Sequence, residues 1–167
     1  MRIFRNFKGY RPHAIPSGLE FAAFTQSEEG HDWYSLQDQF QQETLKVVFD
    51  EKSKSVLITN QDPSFLFPAD GTSIAEIDFV DIKQGVMYVY DEEHNTIVPD
   101  VQANRYIEQQ RRIAECSGEI DRLRDEVLSG IANEEDTQRF TALVKYRKAV
   151  ESIDITQSNM AWPDRPN

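Results

Sequence analysis

Residues that could carry out chemistry are few and scattered along this sequence. The three histidines, His13, His31 and His94, each lie alone among polar or turn-forming residues, without the closely spaced second ligand that a metal pair requires. Cys116 falls on an apolar helical stripe, where a thiol packs as a small hydrophobic group and lacks the exposed, electropositive setting of a nucleophile. We therefore expect solvent-exposed loop histidines and a buried, unreactive cysteine.

Two runs of acidic residues carry enough charge to attract a hard cation. Asp91-Glu92-Glu93 and Glu134-Glu135-Asp136 lack the alternating oxygen ligands and central glycine of a calcium loop, and a solvated turn and a helix N-terminus explain them. The seven glycines are scattered singly, which excludes a phosphate-binding loop, and no GxSxG nucleophile elbow occurs. The sequence predicts that the protein is not an enzyme and uses neither a metal nor a cofactor.

Aromatic residues are the remaining candidates for a functional surface. Ten Phe, six Tyr and two Trp are more rings than a small sheet would bury. Trp33 and Tyr34 are adjacent, so in a strand they would face opposite sides and one ring would face outward or into a partner. Phe65 and Phe67 flank Leu66 between two proline-containing turns. These rings either cap the open end of a sheet or form a partner-binding loop, since exposed aromatic clusters mark interfaces.

Charge and length exclude several classes of function. The chain of 167 residues has 18 Lys and Arg against 29 Asp and Glu, a net charge of −11, which argues against nonspecific nucleic-acid binding and a polybasic membrane anchor. Residues 28–100 hold sixteen acids and four bases, whereas residues 1–27 hold four bases and one acid. No apolar run approaches the roughly 20 residues that span a bilayer, and basic residues interrupt any signal-peptide run. We expect synthesis and folding in a reducing cytosol.

Short strands separated by turns are predicted for the first 99 residues. Runs rich in β-branched and aromatic residues indicate strands at residues 2–8, 19–25, 45–51, 55–59 and 73–80. A polar link of hairpin length joins the strands at residues 45–51 and 55–59. Each of these two strands is apolar over about four residues, so at least one should be covered on both faces. Residues 86–99 predict a second hairpin that turns at residues 91–95. Together these strands predict a small antiparallel sheet.

Helical periodicity begins at Asp100. One apolar stripe predicts a helix that ends near Ser129-Gly130, and its members are Ile113, Cys116, Ile120, Leu123 and Val127. A second helix starts at Asn133, and its stripe includes Phe140, Leu143, Val144, Tyr146 and Val150. The link between them is short, which predicts an antiparallel helical hairpin. The first stripe is as narrow as a coiled-coil seam, so it could also join two copies of the chain.

The predicted fold class is therefore α+β. A small antiparallel sheet forms an N-terminal domain over residues 1–99, and a C-terminal region over residues 100–167 contains the helical hairpin and a tail. The tail from Asp154 onward contains Trp162-Pro163 and Pro166, which predict an extended chain.

Two stretches resemble the tail fibre assembly proteins of tailed bacteriophages. Residues 133–166 are similar to the end of that family, in which an acidic helix start leads to a Tyr-Arg segment, an apolar-Asp step and a Trp-Pro ending. The matching residues are Glu134, Glu135, Tyr146, Arg147, Ile153, Asp154, Trp162, Pro163 and Pro166. The family usually has a large aromatic shortly before the tyrosine, where this chain has Leu143 and Val144. The family also often has a Pro-Asp-Ile-like step before the tryptophan, where residues 159–161 of this chain are Asn-Met-Ala.

The N-terminal half resembles the Mu-like branch of the same family. Residues 30–77 contain a Gly-x-x-Trp-Tyr segment, an aromatic, a strand, an Asp-Glu turn, a second strand that ends in Ile-Thr, and a proline-glycine turn. Both stretches occur in the family's order, and together they cover most of the chain. The resemblance implies a β-rich domain followed by a helical region.

The resemblance implies a chaperone dedicated to one partner, the C-terminal tip of a trimeric tail fibre, whose folding and trimerisation it promotes in the host cytoplasm. In some members the protein stays on the fibre tip in the virion and contributes to recognising host lipopolysaccharide. The residues expected to contact the fibre are Trp33, Tyr34, Phe40, Phe65 and Phe67, and those expected to be structural are Tyr146, Arg147, Asp154, Trp162 and Pro163. An alternative is a carbohydrate-binding module for lipopolysaccharide at the fibre tip that acts in adsorption, with the basic residues of 1–27 meeting phosphate.

Overall fold

Short strands make up most of the regular structure in the first of two compact units, Met1–Asp100 and Val101–Asn167. The computed structural model describes residues 2–15, 17–18 and 20–166. The described part of the first unit contains β1 (Arg2–Phe4), β2 (Lys8–Gly9), β3 (Thr25–Gln26), α1 (Trp33–Leu36), β4 (Leu45–Asp50), β5 (Val56–Asn60), β6 (Thr72–Ile77), β7 (Tyr88–Asp91) and β8 (Thr96–Pro99). The segments Gln37–Gln39 and Pro63–Phe65 form 3-10 turns.

A four-stranded antiparallel sheet with the order β1-β6-β4-β5 forms the centre of this unit. β4 lies between β6 and β5, and all of its residues except Asp50 are buried. Leu45, Val47 and Phe49 pack on one face with residues of the β7-β8 hairpin, whereas Val48 packs on the other face with residues of α1. The two predicted hairpins and the strand covered on both faces are thereby confirmed.

Two of the predicted strands form only in part. The run predicted at residues 19–25 begins at Leu19, outside the described residues; Glu20 and Phe21 lie in a turn, and only Thr25 joins a strand. A strand needs a neighbour with free backbone groups, and β3 has only the two residues of β2 and an isolated bridge from Gln26 to Asp32 among the described residues. The run predicted at residues 2–8 is divided at Asn6, whose positive φ of 47° ends β1 before β2 begins.

The second unit contains the predicted pair of helices, α2 (Val101–Leu128) and α3 (Glu134–Glu151). Gly130 adopts a φ of 72° just after α2, and the Asn133 side chain accepts a hydrogen bond from the Asp136 N–H as the N-cap of α3. The buried core of the hairpin consists of Cys116, Ile120, Leu143, Tyr146 and Val150. None of the helices in the described part of the chain is long and apolar enough to cross a membrane.

The apolar stripe of α2 is covered by α3 of the same chain. Cys116 and Ile120 are buried against α3, and Ile113 and Leu123 pack around them. The expectation that this seam joins two copies of the chain stays a prediction, although α3 of the same chain already covers Cys116 and Ile120.

Candidate functional site

The Pro63–Phe65 turn and the residues after it present the most exposed of the predicted contact residues. The Asp62 side chain accepts a 2.9 Å hydrogen bond from the Ser64 N–H, and Pro63 lies in the first turn, where its missing N–H costs nothing. Phe65 is 70% exposed and Phe67 is 43% exposed, whereas Leu66 between them is buried at 3%. Leu66 is therefore the residue that packs into the core, whereas the rings of Phe65 and Phe67 face solvent.

Trp33 and Phe40 lie inside the protein. Trp33 is fully buried and Phe40 is 8% exposed, with ring centroids 6.0 Å apart. The Asp32 side chain caps α1 by accepting from the Ser35 N–H at 3.0 Å, so residues 33–36 form a helix and the Trp33 indole points into the core. The expectation that Trp33 and Phe40 contact a partner directly is corrected, since neither ring is available at the surface in this structure.

Tyr34 remains at the surface, with 39% of its area exposed. Its hydroxyl donates to the Ala23 carbonyl at 3.1 Å, and its ring packs edge-on against Phe24 at 5.5 Å. Tyr10 packs on the other side of Phe24 at 6.3 Å, and burial, together with a hydrogen bond from its hydroxyl to Asp32, raises the pKa of Tyr10 to about 12. Three rings therefore brace the loop that leads into β3.

A buried charged pair lies beneath the face of the sheet that carries α1, and the sequence interpretation missed it. Lys46 and Glu76 are direct cross-strand partners in β4 and β6. The Lys46 ammonium donates to the carbonyl oxygens of Gln41, Thr44 and Gln61, the last at 2.7 Å. Burial lowers the pKa of Lys46, while the carboxylate of Glu76 opposes that shift. The available signal was a charged residue flanked by apolar residues in each strand, Lys46 in β4 and Glu76 in β6.

Glu76 binds residues 41–44, the loop that precedes β4 and that also accepts hydrogen bonds from Lys46. Its carboxylate accepts from the Gln41 N–H at 2.6 Å and from the Thr44 hydroxyl at 2.8 Å. Residues 41–44 are thus held by Lys46 through their carbonyls and by Glu76 through their donors. Gln41 and Gln42 of this loop line a polar cleft of about 400 Å³, whose other lining residues include Asp38, Phe40, Lys46, Gln61 and Asp62.

The basic residues near the N-terminus are partly neutralised. Arg5 pairs with Glu51 at 2.9 Å and with Glu92 at 2.7 Å, and Lys54 pairs with the same two carboxylates. The hydrogen bond from Arg5, followed by that from Lys54, lowers the pKa of Glu92. Arg2 lies 3.5 Å from Glu76. Two of the four bases expected to meet lipopolysaccharide phosphate are therefore engaged within the protein itself.

In the second unit, the family-motif residues join the tail to the helical hairpin. Arg112 of α2 donates to the Tyr146 hydroxyl at 3.1 Å, and its guanidinium lies 5.1 Å from the centre of the Trp162 ring. Asp154 accepts from the backbone N–H and the hydroxyl of Thr156, which holds the turn after α3. Arg165 pairs with Glu115 at 3.3 Å and also with Glu119, both on α2.

The other two motif residues lie beside these contacts. The Arg147 Nε lies 3.5 Å from a carboxylate oxygen of Glu151 on the next turn of α3. Pro163 is half-buried directly after Trp162. Arg105 donates to the carbonyls of Ile155 and Gln157, both at 2.9 Å, so the tail is bound to α2 at each end.

The histidines and the cysteine lie where the sequence places them. All three histidines are exposed. Cys116 is fully buried with its Sγ 3.2 Å from the Leu143 carbonyl, and burial raises the pKa of its thiol. Within residues 2–15, 17–18 and 20–166, no group of three or more His, Cys, Asp or Glu side chains is arranged to hold a metal ion.

The fold and its surfaces define an α+β protein with a sheet unit that exposes aromatic rings and a helical hairpin that binds its own tail. The family described as "Caudovirales tail fibre assembly protein, lambda gpK" matches residues 35–167, well over half of the chain. The chain belongs to this family of tail fibre assembly proteins. The resemblance identified in the sequence is thereby confirmed, although the match begins just after Trp33 and Tyr34.

Curated relatives agree with this assignment. The chain is 28% identical over 152 residues to tail fiber assembly protein U of Escherichia phage Mu, covering 84% of this chain and 82% of that protein. It is equally identical, over the same shares of each chain, to the probable tail fiber assembly protein of Escherichia phage P2. Tail fiber assembly protein U' of Escherichia phage P1 is 26% identical over 153 residues.

Proposed function

We propose that this protein is a tail fibre chaperone that binds the C-terminal tip of a trimeric fibre through its sheet unit and promotes folding and trimerisation of the fibre. The observation that carries the proposal is the pair of exposed rings, Phe65 and Phe67, on a turn anchored by the buried Leu66 in a member of the tail fibre assembly family. Exposed aromatic side chains on a rigid support are typical of binding hot spots.

A chaperone of this kind acts by binding and needs no catalytic group. Separate chains that pair through distant segments assemble slowly and expose strand edges that aggregate. A protein that covers those edges until three chains align raises the yield of the trimer. Its action belongs to the host cytoplasm during assembly, before the fibre joins the virion.

The contact surface comprises Tyr34, Phe65 and Phe67, and Trp33 and Phe40 act as its support. Copurification with the tail fibre encoded beside it tests the proposal: a tagged chain should retain the fibre as a stable complex. The double variant Phe65→Ser, Phe67→Ser should release it, whereas Phe79→Ser, which changes a ring that is 61% exposed elsewhere in the unit, should not. Failure of the unaltered protein to retain the fibre would contradict the proposal.

A further inference from the structure

The outer side of β5 is an open sheet edge over most of its length. At its start, Ser55 forms a bridge with Val89, and the Tyr90 N–H donates to the Lys54 carbonyl at 2.8 Å. From Leu57 to Asn60, the structure shows no backbone hydrogen bond to any described residue outside β4. β7 therefore occupies the first part of this edge and leaves the remainder unpaired.

The hydrogen bonds around the β4-β5 turn determine which backbone groups face outward. The Asp50 N–H donates towards β5, to the Ser55 carbonyl, and the Glu51 N–H donates towards β6, to the Gly71 carbonyl. Backbone groups alternate sides along a strand, so Val48 bonds to Ile58 on the β5 side and Val47 faces β6. Thr59, which lies opposite Val47, consequently directs its N–H and C=O away from the sheet.

This edge lacks most of the usual protection against unwanted pairing. Proteins commonly place proline or charged residues on an open edge, and a bulge at Leu57 is the only such feature between Val56 and Asn60. Leu57 and Ile58 are 58% and 46% exposed. The opposite edge, β1, carries Arg2 within its three residues. An open apolar edge is an aggregation site unless it has a partner.

The chemistry of the partner follows from the cleft at the end of β5. The carboxylates of Asp38 and Asp62 lie in its walls among glutamine side chains. The Lys46 ammonium also lines the cleft and attracts the Asp62 carboxylate, so the lining holds two carboxylates against one ammonium and keeps a net negative charge. Residues 1–100 as a whole hold seventeen acids and eight bases. A cationic side chain on the partner complements this cleft.

We propose that β5 accepts an extended segment of the fibre chain as an added strand, and that a Lys or Arg of that segment enters the cleft beside Asp38 and Asp62. The added strand exchanges backbone hydrogen bonds with Thr59 and covers Leu57 and Ile58. This inference rests on the proposed function and specifies how the partner is held.

A proline at position 59 tests the added strand. Thr59→Pro removes an outward N–H without removing a hydrogen bond to β4, and proline is tolerated at such edge positions. It should weaken binding to the trimeric C-terminal fragment of the tail fibre at least tenfold in calorimetry, while Thr59→Val should bind within twofold of the unaltered chain. Asp38→Asn should also weaken binding, and Asp81→Asn, an exposed acid outside the cleft, should not.

Hydrogen exchange provides a readout that does not depend on a variant. In the complex of the unaltered chain with the fibre fragment, the Thr59 amide should exchange at least tenfold more slowly than in the free chain. If the fragment binds and this amide is not protected, the added strand is excluded while the chaperone proposal stands. If the unaltered chain binds no fibre, the proposed function itself fails. A dimer that Thr59→Pro converts to a monomer, with fibre binding unchanged, would assign the edge to a second copy and overturn the inference.

Discussion

The indole N–H of Trp33 donates a 3.0 Å hydrogen bond to the carbonyl oxygen of Leu66, thirty-three positions along the chain. This bond ties α1 to the segment that carries Phe65 and Phe67. Both groups are buried, so the bond forms in a setting where an unsatisfied partner is costly. Trp33 therefore positions the proposed contact surface from beneath.

Replacement of Trp33 tests this relationship. Trp33→Phe keeps a buried ring but leaves the Leu66 carbonyl without its donor, which should lower the free energy of unfolding by about 1–3 kcal/mol. Urea unfolding measures the loss, and Tyr34→Phe, which removes a hydroxyl at the surface, should change the stability by less. Equal stability of Trp33→Phe and the unaltered chain would show that the bond has no positioning role.

Phe65 and Phe67 should contribute to binding without contributing to stability. Each replaced singly by Ser should leave the unfolding midpoint nearly unchanged, because both rings are already exposed. Affinity for the fibre fragment should fall about tenfold or more for at least one of them, the size expected of a hot spot. Calorimetry measures the affinity, with Phe79→Ser as the matched control. A loss of stability in place of affinity would assign the rings to the core.

Arg112 and Arg111 are adjacent but should differ strongly in their effect on stability. Arg112 contacts Tyr146 and Trp162 as well as Glu108, whereas the exposed Arg111 pairs along its own helix with Glu108 and Glu115. Arg112→Ala should cost about 1–2 kcal/mol in thermal or urea unfolding. Arg111→Ala should change stability by less than about 0.5 kcal/mol. Equal effects of the two variants would contradict a role for Arg112 in holding the tail.

The ion network of Arg5, Glu51, Lys54 and Glu92 predicts a dependence of stability on pH. The pKa of Glu92 is lowered from its ordinary value of 4.5, first by the hydrogen bond from Arg5. A carboxylate with a lowered pKa in the folded state stabilises the fold above its unfolded pKa, and this contribution is lost as the pH falls through the folded pKa. Stability should therefore decrease below about pH 4.5.

Glu92→Gln isolates the contribution of this network. The variant should show a shallower decrease in unfolding midpoint between neutral and acidic pH than the unaltered chain. Glu93→Gln changes a neighbouring acid outside the network and serves as the control. Identical pH profiles for all three proteins would show that the network does not stabilise the folded state.

The sequence predicted those elements whose apolar pattern is unambiguous. β4 and β5 are nearly continuous apolar runs and α2 carries one apolar stripe, while α3 has a recognisable N-cap in Asn133. The helix at Trp33 was not predicted, because four residues are too few to show a helical period and the cap by Asp32 decides the outcome. The apolar run that ends at Thr25 lacks a long neighbouring strand, which a local pattern does not reveal.

The candidate site was predictable only in part for a related reason. The pattern of residues 65–67 indicates that Leu66 and the two phenylalanines face opposite ways. It does not indicate that Leu66 is the buried side chain, because that depends on the contact of this segment with Trp33, which is distant in sequence. The pairing of Lys46 with Glu76 arises from strand register over thirty positions, so the polar cleft above it had no local signature. The family resemblance named the partner without locating the contact.

Co-expression with the cognate tail fibre gene tests the central proposal most directly. The measured quantity is the fraction of fibre recovered as soluble trimer, with and without this protein, at matched fibre expression. We predict that the fibre is largely insoluble or monomeric alone, that it becomes a soluble trimer with the unaltered chain, and that the double variant Phe65→Ser, Phe67→Ser gives little trimer. A fibre that is equally soluble and equally trimeric without this protein would contradict the account.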